Sequence, residues 1–320
     1  MTRPVVAVLG TRYPDLAVEE QGLAGLDVEL RRGDGADRAA VLEVAADADV
    51  VLCGSAPRFD AATLDGMSCR AIVRYGIGVD SIDLDAARER GITVARVTDY
   101  GTEAVAFHAV TLACAAVRRL VEADRHVHAG GWGFADLRPL HLPSATSVGV
   151  VGFGRIGRAA ARMFVGLGFD VAAHDPFAPV AGRVEGVREM ADLDDLLATS
   201  DVVSLHVPGD DGVLLDARRL ALLPEGSVLV NTARGSLVDP DALVAAMQQD
   251  RPRIAALDVH DTEPPDLTRF APVADRLVAT PHMAWHTAES ELDLRTKAVA
   301  EAARILRGET PREPVVTPEA

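Results

Sequence analysis

The sequence predicts an α/β protein built from two doubly wound parallel-sheet domains with a cleft between them. Three observations carry that prediction. Apolar, β-branched runs alternate with helix-period segments along almost the whole chain; one long helical stretch interrupts the alternation; and a glycine-rich turn follows the first strand of the second series. At 320 residues the chain exceeds one ordinary core and falls short of three, so two domains are expected, each large enough to bury a sizeable core.

From the N-terminus, VVAVL, DVEL, VVLC, AIVR and ITVA read as strands, separated by helical periods over 16–23, 38–45 and 83–90. A single helix is then predicted over 102–127, stopped by Gly130 and Gly131. The segment GGWGFADLRPLHLPSAT reads as loop. A second strand series follows, SVGVV, DVAAH, DVVSLHV, SVLVNTA, RIAALDV and RLVAT, which is a Rossmann-type set. An amphipathic helix over 288–307 should return the chain to the first domain, and the tail after Gly308, rich in Pro and Glu, reads as an exposed strap. The arrangement is therefore split: residues 1–100 plus 286–320 form a flavodoxin-like substrate domain, and 101–285 an inserted Rossmann-like domain. The cleft between the lobes is the natural ligand site.

A composition of 48% hydrophobic and 25% charged residues is that of a soluble globular protein, and a net charge of -16 argues against nucleic acid or an anionic membrane surface as partner. The three cysteines, Cys53, Cys69 and Cys114, lack metal-type spacing and lie in or beside apolar stretches, so buried reduced thiols and no metal are expected. The N-terminus passes directly into PVVAVLG without an apolar leader, and the most apolar helical stretch, 104–117, is too short to span a bilayer. A cytoplasmic location is the expectation.

Gly152, Gly154 and Gly157 follow the strand SVGVV and open a helix, the setting in which GxGxxG carries meaning. The first glycine makes the tight turn, the second lets a pyrophosphate approach the backbone, and the third lets helix pack on strand. Arg155 and Ile156 line that turn, and the helix N-terminus offers oriented N–H donors to phosphate. Asp175, at the end of the next strand, suits the hydroxyls of an adenosine ribose; its carboxylate repels a 2′-phosphate, and neighbouring Pro176 and Phe177 supply no cation. NAD is favoured over NADP.

Three further signals sit at strand ends of the same domain. LVNTARGSLVD places Arg234 after a buried strand, LDVHDTEP places Asp258 at a strand end with Glu263 beyond it, and TPHMAW places His282 after Pro281. Singly, each has an ordinary reading as a surface charge, a loop acid or a packed imidazole. Together they fit hydride transfer to a 2-keto acid, which needs a clamp for a carboxylate and an acid for the carbonyl oxygen. A guanidinium grips a carboxylate bidentately, which suits Arg234. Histidine exchanges a proton near neutral pH, and Glu263 would orient His282 and favour its charged form.

GFGRIG with its downstream HDP, NTARGSLVD, LDVHDTEP and TPHMAW, together with RYGIGVDSIDLDAARERGI and VTDYGTEAVAFHAV, closely resemble the D-isomer-specific 2-hydroxyacid dehydrogenase family over nearly the whole chain. The resemblance implies the split two-domain fold, a homodimer, NAD (NADH) as cofactor, and Arg234, Glu263 and His282 as the catalytic set. It implies that backbone N–H groups of Tyr75, Gly76, Ile77 and Gly78 bind the substrate carboxylate and that Asp258 holds the nicotinamide carboxamide. Pro208, Thr232 and Ala233 complete the cofactor side, and His206, at a strand end near the expected adenine pocket, either joins them or has only a structural role. Arg74 resembles the arginine of the branch that includes the C-terminal-binding-protein co-repressors, where it would meet a second anionic or polar group of the substrate.

Two departures stand out. After HVP the family usually carries a longer, Thr-rich stretch, whereas this chain has the acidic GDDGVLL, and the aromatic that commonly follows the motif's tryptophan is here His286, either a substrate-facing substitution or a rim histidine. Trp132 in GGWGF either reaches a partner subunit's cleft or caps a surface turn. The sequence predicts an NAD-dependent oxidoreductase acting on a small 2-hydroxy or 2-keto acid. The rival readings are an NAD(H)-responsive regulatory protein like the co-repressors, and a same-fold dehydrogenase acting on formate or phosphite.

Overall fold

The computed structural model describes residues 3–11, 13–209 and 212–317, and the chain divides into two compact units, Met1–Gly101 with Thr287–Ala320, and Thr102–His286. The first contains strands β1 (Val5–Leu9), β2 (Glu29–Gly33), β3 (Val50–Cys53), β4 (Ala71–Arg74) and β5 (Thr93–Arg96). The second contains β6 (Ser147–Val151), β7 (Asp170–His174), β8 (Val187–Glu189), β9 (Val202–Leu205), β10 (Val228–Asn231), β11 (Ile254–Leu257) and β12 (Leu277–Ala279). A last strand, β13 (Pro314–Val316), belongs to the first unit.

In the first unit the sheet order is β13-β5-β4-β3-β1-β2, parallel throughout except for β13, which runs antiparallel along β5. This corrects the expected strap: the tail is a strand, and Val316 is buried because an apolar pair in PVV can complete an otherwise open sheet edge. In the second unit the order is β12-β11-β10-β9-β6-β7-β8, all parallel, and the winding reverses between β6 and β9. Open α/β sheets bind ligands beyond the strand C-termini at such a reversal.

The strands are apolar on both faces because helices cover both. In β10, Val228 and Val230 enter one cluster with Val148, Val150 and Phe164, while Leu229 enters another with Leu196, Leu205 and Leu243. Burying each such side chain contributes about 1.5–3 kcal/mol, and a one-residue slip of register would exchange the two sets. Many helix starts are fixed by aspartate: Asp37, Asp60, Asp83, Asp192, Asp216 and Asp239 each accept backbone N–H bonds at an N-cap. Part of the acidity of this chain therefore serves helix capping.

The predicted helix over 102–127 is broken. Thr102–Val117 and Leu120–His128 meet at a 58° bend, with Arg119 between them at φ 48°. The first piece buries Ala106, Ala109, Val110, Leu112, Ala113 and Ala116, whereas the second buries nothing, so the apolar face that held the helix to the sheet ends at the break. Arg119, itself buried, donates to the Asp136 carbonyl there. Among the described residues no single helix is long and apolar enough to cross a membrane. The helix Ala288–Leu306 starts at a capping box formed by Thr287 and Ser290 and lies in the first unit.

Candidate active site

The glycine turn has the geometry its spacing predicts. Gly152 sits at φ +90°, and a side chain at Gly157 would place its Cβ 2.0 Å from the Gly152 carbonyl oxygen, so helix Arg155–Gly166 packs against the turn only through glycine. Around Gly154 there is open space, the cradle a pyrophosphate needs, with Arg155 exposed beside it and Ile156 half-buried. The Asp175 carboxylate accepts from the Phe153 N–H at 2.7 Å and from Phe177 and Ala178 at 2.8 and 2.9 Å. It thus ties the turn to the end of β7 and keeps a negative charge beside it. The Thr232 hydroxyl is buried with no protein partner, an atom that a polar group of a bound dinucleotide would satisfy. Open cradle, acid and orphan hydroxyl all fit NAD.

His206 follows β9 and its carbonyl oxygen packs on Gly152, while Nε2 shares a 2.9 Å hydrogen bond with the Ser204 hydroxyl. Desolvation pushes its imidazole down to about 4. A folded state that resists protonation below the ordinary value of 6.5 loses stability as pH falls from 6.5 towards 4 and gains nothing above it. Unfolding at pH 7.5 and pH 4.5 is expected to reveal about 2–3 kcal/mol of loss from this group, and His206→Asn should lack that part of the decline. Pro208, exposed, continues the same loop; Asp210 and Asp211 of GDDGVLL lie outside the described residues.

Arg234 follows β10 in a turn built by Asn231, whose amide accepts from the Ala233 N–H at 3.0 Å and donates to the Arg234 carbonyl at 2.8 Å. The guanidinium donates to the Ala233 carbonyl, and the side-chain stem lies against Gly209. Gly235 cannot be another residue, since a Cβ there would lie 2.0 Å from the His260 backbone. Sequence reasoning missed Asn231; its place inside NTARG was the available signal.

His282 and Glu263 meet directly, Nδ1 to Oε2 at 2.7 Å, both half-exposed. An ionised carboxylate only accepts, so Nδ1 carries the proton and Nε2 is left for chemistry. Glu263 is itself held by the His260 N–H on its other oxygen. His282 adopts φ +52°, a conformation few non-glycine residues take, and its N–H donates to the Asp258 carbonyl at 2.8 Å. Asp258 is fully buried, and its carboxylate accepts from the Thr280 hydroxyl and from the N–H groups of Met283 and Ala284 at 2.9 and 2.8 Å. His108, to which the sequence assigned nothing, brings Nε2 to 3.2 Å from Thr280 Oγ1 and 3.6 Å from Asp258 Oδ1. His286 stacks on Trp285 at 5.3 Å, and Trp132 is 91% exposed.

In the first unit, Arg74 ends β4 and donates to the Tyr75 carbonyl. The Tyr75 N–H is committed to the Cys53 carbonyl and that of Gly76 to the Arg74 carbonyl. Among the described residues, the amides of Ile77 and Gly78 have no backbone partner. Gly76 is at φ +134°, flanked by the Arg74 guanidinium and the Tyr100 hydroxyl, and Arg96 reaches the Ile77 carbonyl at 3.4 Å. The Tyr75 hydroxyl donates to wholly buried Glu19, which Arg295 grips with bonds of 3.0 and 2.6 Å. Burial raises the Tyr75 phenol well above its ordinary value, and the loop's first ring is anchored as a neutral donor.

Residues 110–284 match the family model described as D-isomer specific 2-hydroxyacid dehydrogenase, NAD binding domain. The chain belongs to the D-isomer-specific 2-hydroxyacid dehydrogenase family. Within it, (S)-sulfolactate dehydrogenase of Chromohalobacter salexigens is 38% identical over 258 residues, 79% of this chain and 83% of that protein. D-3-phosphoglycerate dehydrogenase of Mycobacterium leprae is 36% identical over 314 residues, 97% of this chain but 58% of that longer protein. Among solved structures, D-lactate dehydrogenase from Aquifex aeolicus, complexed with NAD and lactic acid, superposes with a TM-score of 0.85 at 25% identity, covering 98% of this chain and 100% of that one.

Proposed function

We propose that this member of the D-2-hydroxyacid dehydrogenase family is an NAD-dependent enzyme interconverting a 2-keto acid and its hydroxy acid. The observation that carries the reading is the His282–Glu263 pair at 2.7 Å, borne on the strand-end side of a Rossmann-type sheet that also presents Arg234 and the glycine cradle. NADH, when bound, supplies the hydride that reduces C2 of the keto acid. Arg234 clamps the substrate carboxylate with parallel N–H donors; in the first unit, Ile77 and Gly78 offer backbone amides to an anionic group. Entering the step as the imidazolium, with both ring nitrogens protonated, His282 gives its Nε2 proton to the carbonyl oxygen as charge develops there and is left neutral, Glu263 keeping the ring oriented through Nδ1–H. In oxidation Nε2 takes the proton back. Asp175 favours NADH over NADPH, because a 2′-phosphate would face a carboxylate whose hydrogen-bond partners among the described residues are the backbone N–H groups of Phe153, Phe177 and Ala178.

The substrate class we favour is a short 2-keto acid with a second anionic group. Arg74 and Arg96 bracket the loop that supplies the amides, and the relatives named for phosphoglycerate and sulfolactate act on acids of that charge. NADH oxidation against 3-phosphohydroxypyruvate, 3-sulfopyruvate, pyruvate and glyoxylate, with NADPH in parallel, tests both parts. Faster turnover of the first two with NADH supports the reading; turnover of none of the four rejects it.

The chain works, on the same reading, as a homodimer. Phe107, Leu120, Trp132, Phe134 and Leu142 are large apolar side chains exposed between residues 107 and 142 of the second unit, and a second copy of the chain would take them from water. Sedimentation of the wild type at micromolar concentration is expected to give a dimer, and Leu120→Asp with Trp132→Asp a monomer; a monomeric wild type rejects it.

A further inference from the structure

We infer that His108 is a positioning residue for His282, acting through Thr280 and Asp258. The inference rests on the proposed role of His282 as proton donor. It begins from the backbone: His282 is held at φ +52°, and a residue so placed persists only where its surroundings over-determine it. The surroundings here are the Asp258 carboxylate, which gathers the Thr280 hydroxyl on one side of His282 and the Met283 and Ala284 amides on the other. Thr280 has one hydroxyl proton, and Asp258, buried and accepting, takes it.

The Thr280 oxygen can then act towards His108 only as an acceptor, so His108 Nε2 must be the donor across their 3.2 Å contact. That fixes the tautomer of His108 and the direction of the relay: Nε2–H to Thr280, Thr280 to Asp258, Asp258 to the segment bearing His282. His108 stands on helix Thr102–Val117, whose buried face packs into the core of the same unit, so the relay ties the segment after β12 to a rigid element. Removing the donor leaves Thr280 held by Asp258 alone and so fixes the Thr280–Asp258 geometry less tightly, and displacement of a catalytic group by a fraction of an ångström is costly in rate.

The test uses the full chain with NADH and whichever of 3-phosphohydroxypyruvate, 3-sulfopyruvate and pyruvate is turned over fastest. His108→Leu is expected to lower kcat about tenfold or more, with KM and NADH affinity within about twofold of wild type, and His108→Gln, which retains an N–H donor, to recover most of the loss. Thr280→Val should match His108→Leu, Thr280→Ser should behave as wild type, and the double variant His108→Leu/Thr280→Val should lose little more than either alone. Unchanged kcat in His108→Leu, or losses that multiply in the double variant, overturns the relay. If His108→Leu fails to fold, the near-isosteric Thr280→Val decides in the same way. His282→Ala runs alongside: if it keeps turnover while the relay variants lose it, the proposed function is what fails, and if it is dead while they are unaffected, only the relay fails.

Discussion

His282→Ala is expected to reduce kcat by at least about a hundredfold, the ordinary contribution of a positioned general acid, while NADH binding, followed by fluorescence, stays within a small factor of wild type. The imidazole is the group with a free nitrogen in this arrangement: Nδ1 is spent on Glu263 at 2.7 Å, so Nε2 is the position from which a proton can leave. Alanine removes donor and acceptor together, and no other described group is in contact with Glu263 Oε2 to take its place. The features proposed to bind NADH are elsewhere, in the glycine turn, Asp175 and Thr232, and none of them leans on the His282 side chain. Turnover that survives the substitution would remove His282 from the chemistry, whatever happened to affinity.

Much of this was legible because the functional groups sit at strand ends, where apolar runs stop and a few polar residues begin. Gly152, Asp175, Arg234, Asp258 and His282 all follow strands the sequence marks plainly, and the structure puts each just beyond the C-terminus of β6, β7, β10, β11 and β12. The His282–Glu263 contact was readable from the chemistry of the two residue types, since an imidazole needs an orienting acceptor. What could not be read is anything set by pairing between distant segments. His108 lies in an apolar helix, and its partner Thr280 is brought to it only by the order of the strands. The Arg119 break has no glycine or proline to announce it; it arises where the buried face of the helix ends. The tail was misjudged for the opposite reason: proline and glutamate suggested exposure, but PVV meets an unpaired edge at β5.

The same distinction separates residues that touch substrate from residues that hold those residues still. Asp258 resembles the family's carboxamide contact, and in this chain its oxygens also accept from Thr280, Met283 and Ala284. Tyr75 resembles a carboxylate contact, yet its own amide is spent on Cys53 and its hydroxyl on Glu19. Both cases follow from the cost of leaving a buried polar group unpaired, of order 1–3 kcal/mol: a folded chain satisfies most such groups internally, and Thr232 Oγ1, just beyond β10, is among the few buried side-chain atoms of the described residues left without a partner.

Arg234→Lys should lower kcat/KM for the keto acid by about a hundredfold or more, since it forfeits one charge-assisted hydrogen bond at roughly 1.5–3 kcal/mol and weakens the geometry of the other. The charge is conserved, so the prediction turns on shape. The Asn231 turn aims a planar fork from the end of β10, with its stem laid against Gly209 and one N–H already anchored on the Ala233 carbonyl. A lysine amine from the same Cα is a single point of charge and has no planar edge to offer two carboxylate oxygens at once. Rates measured over a range of keto-acid concentrations should locate most of the loss in KM, with kcat falling further if the carboxylate is also what aligns C2 for reduction. A lysine variant within about threefold of wild type in kcat/KM would mean that Arg234 contributes charge alone, without a bidentate clamp.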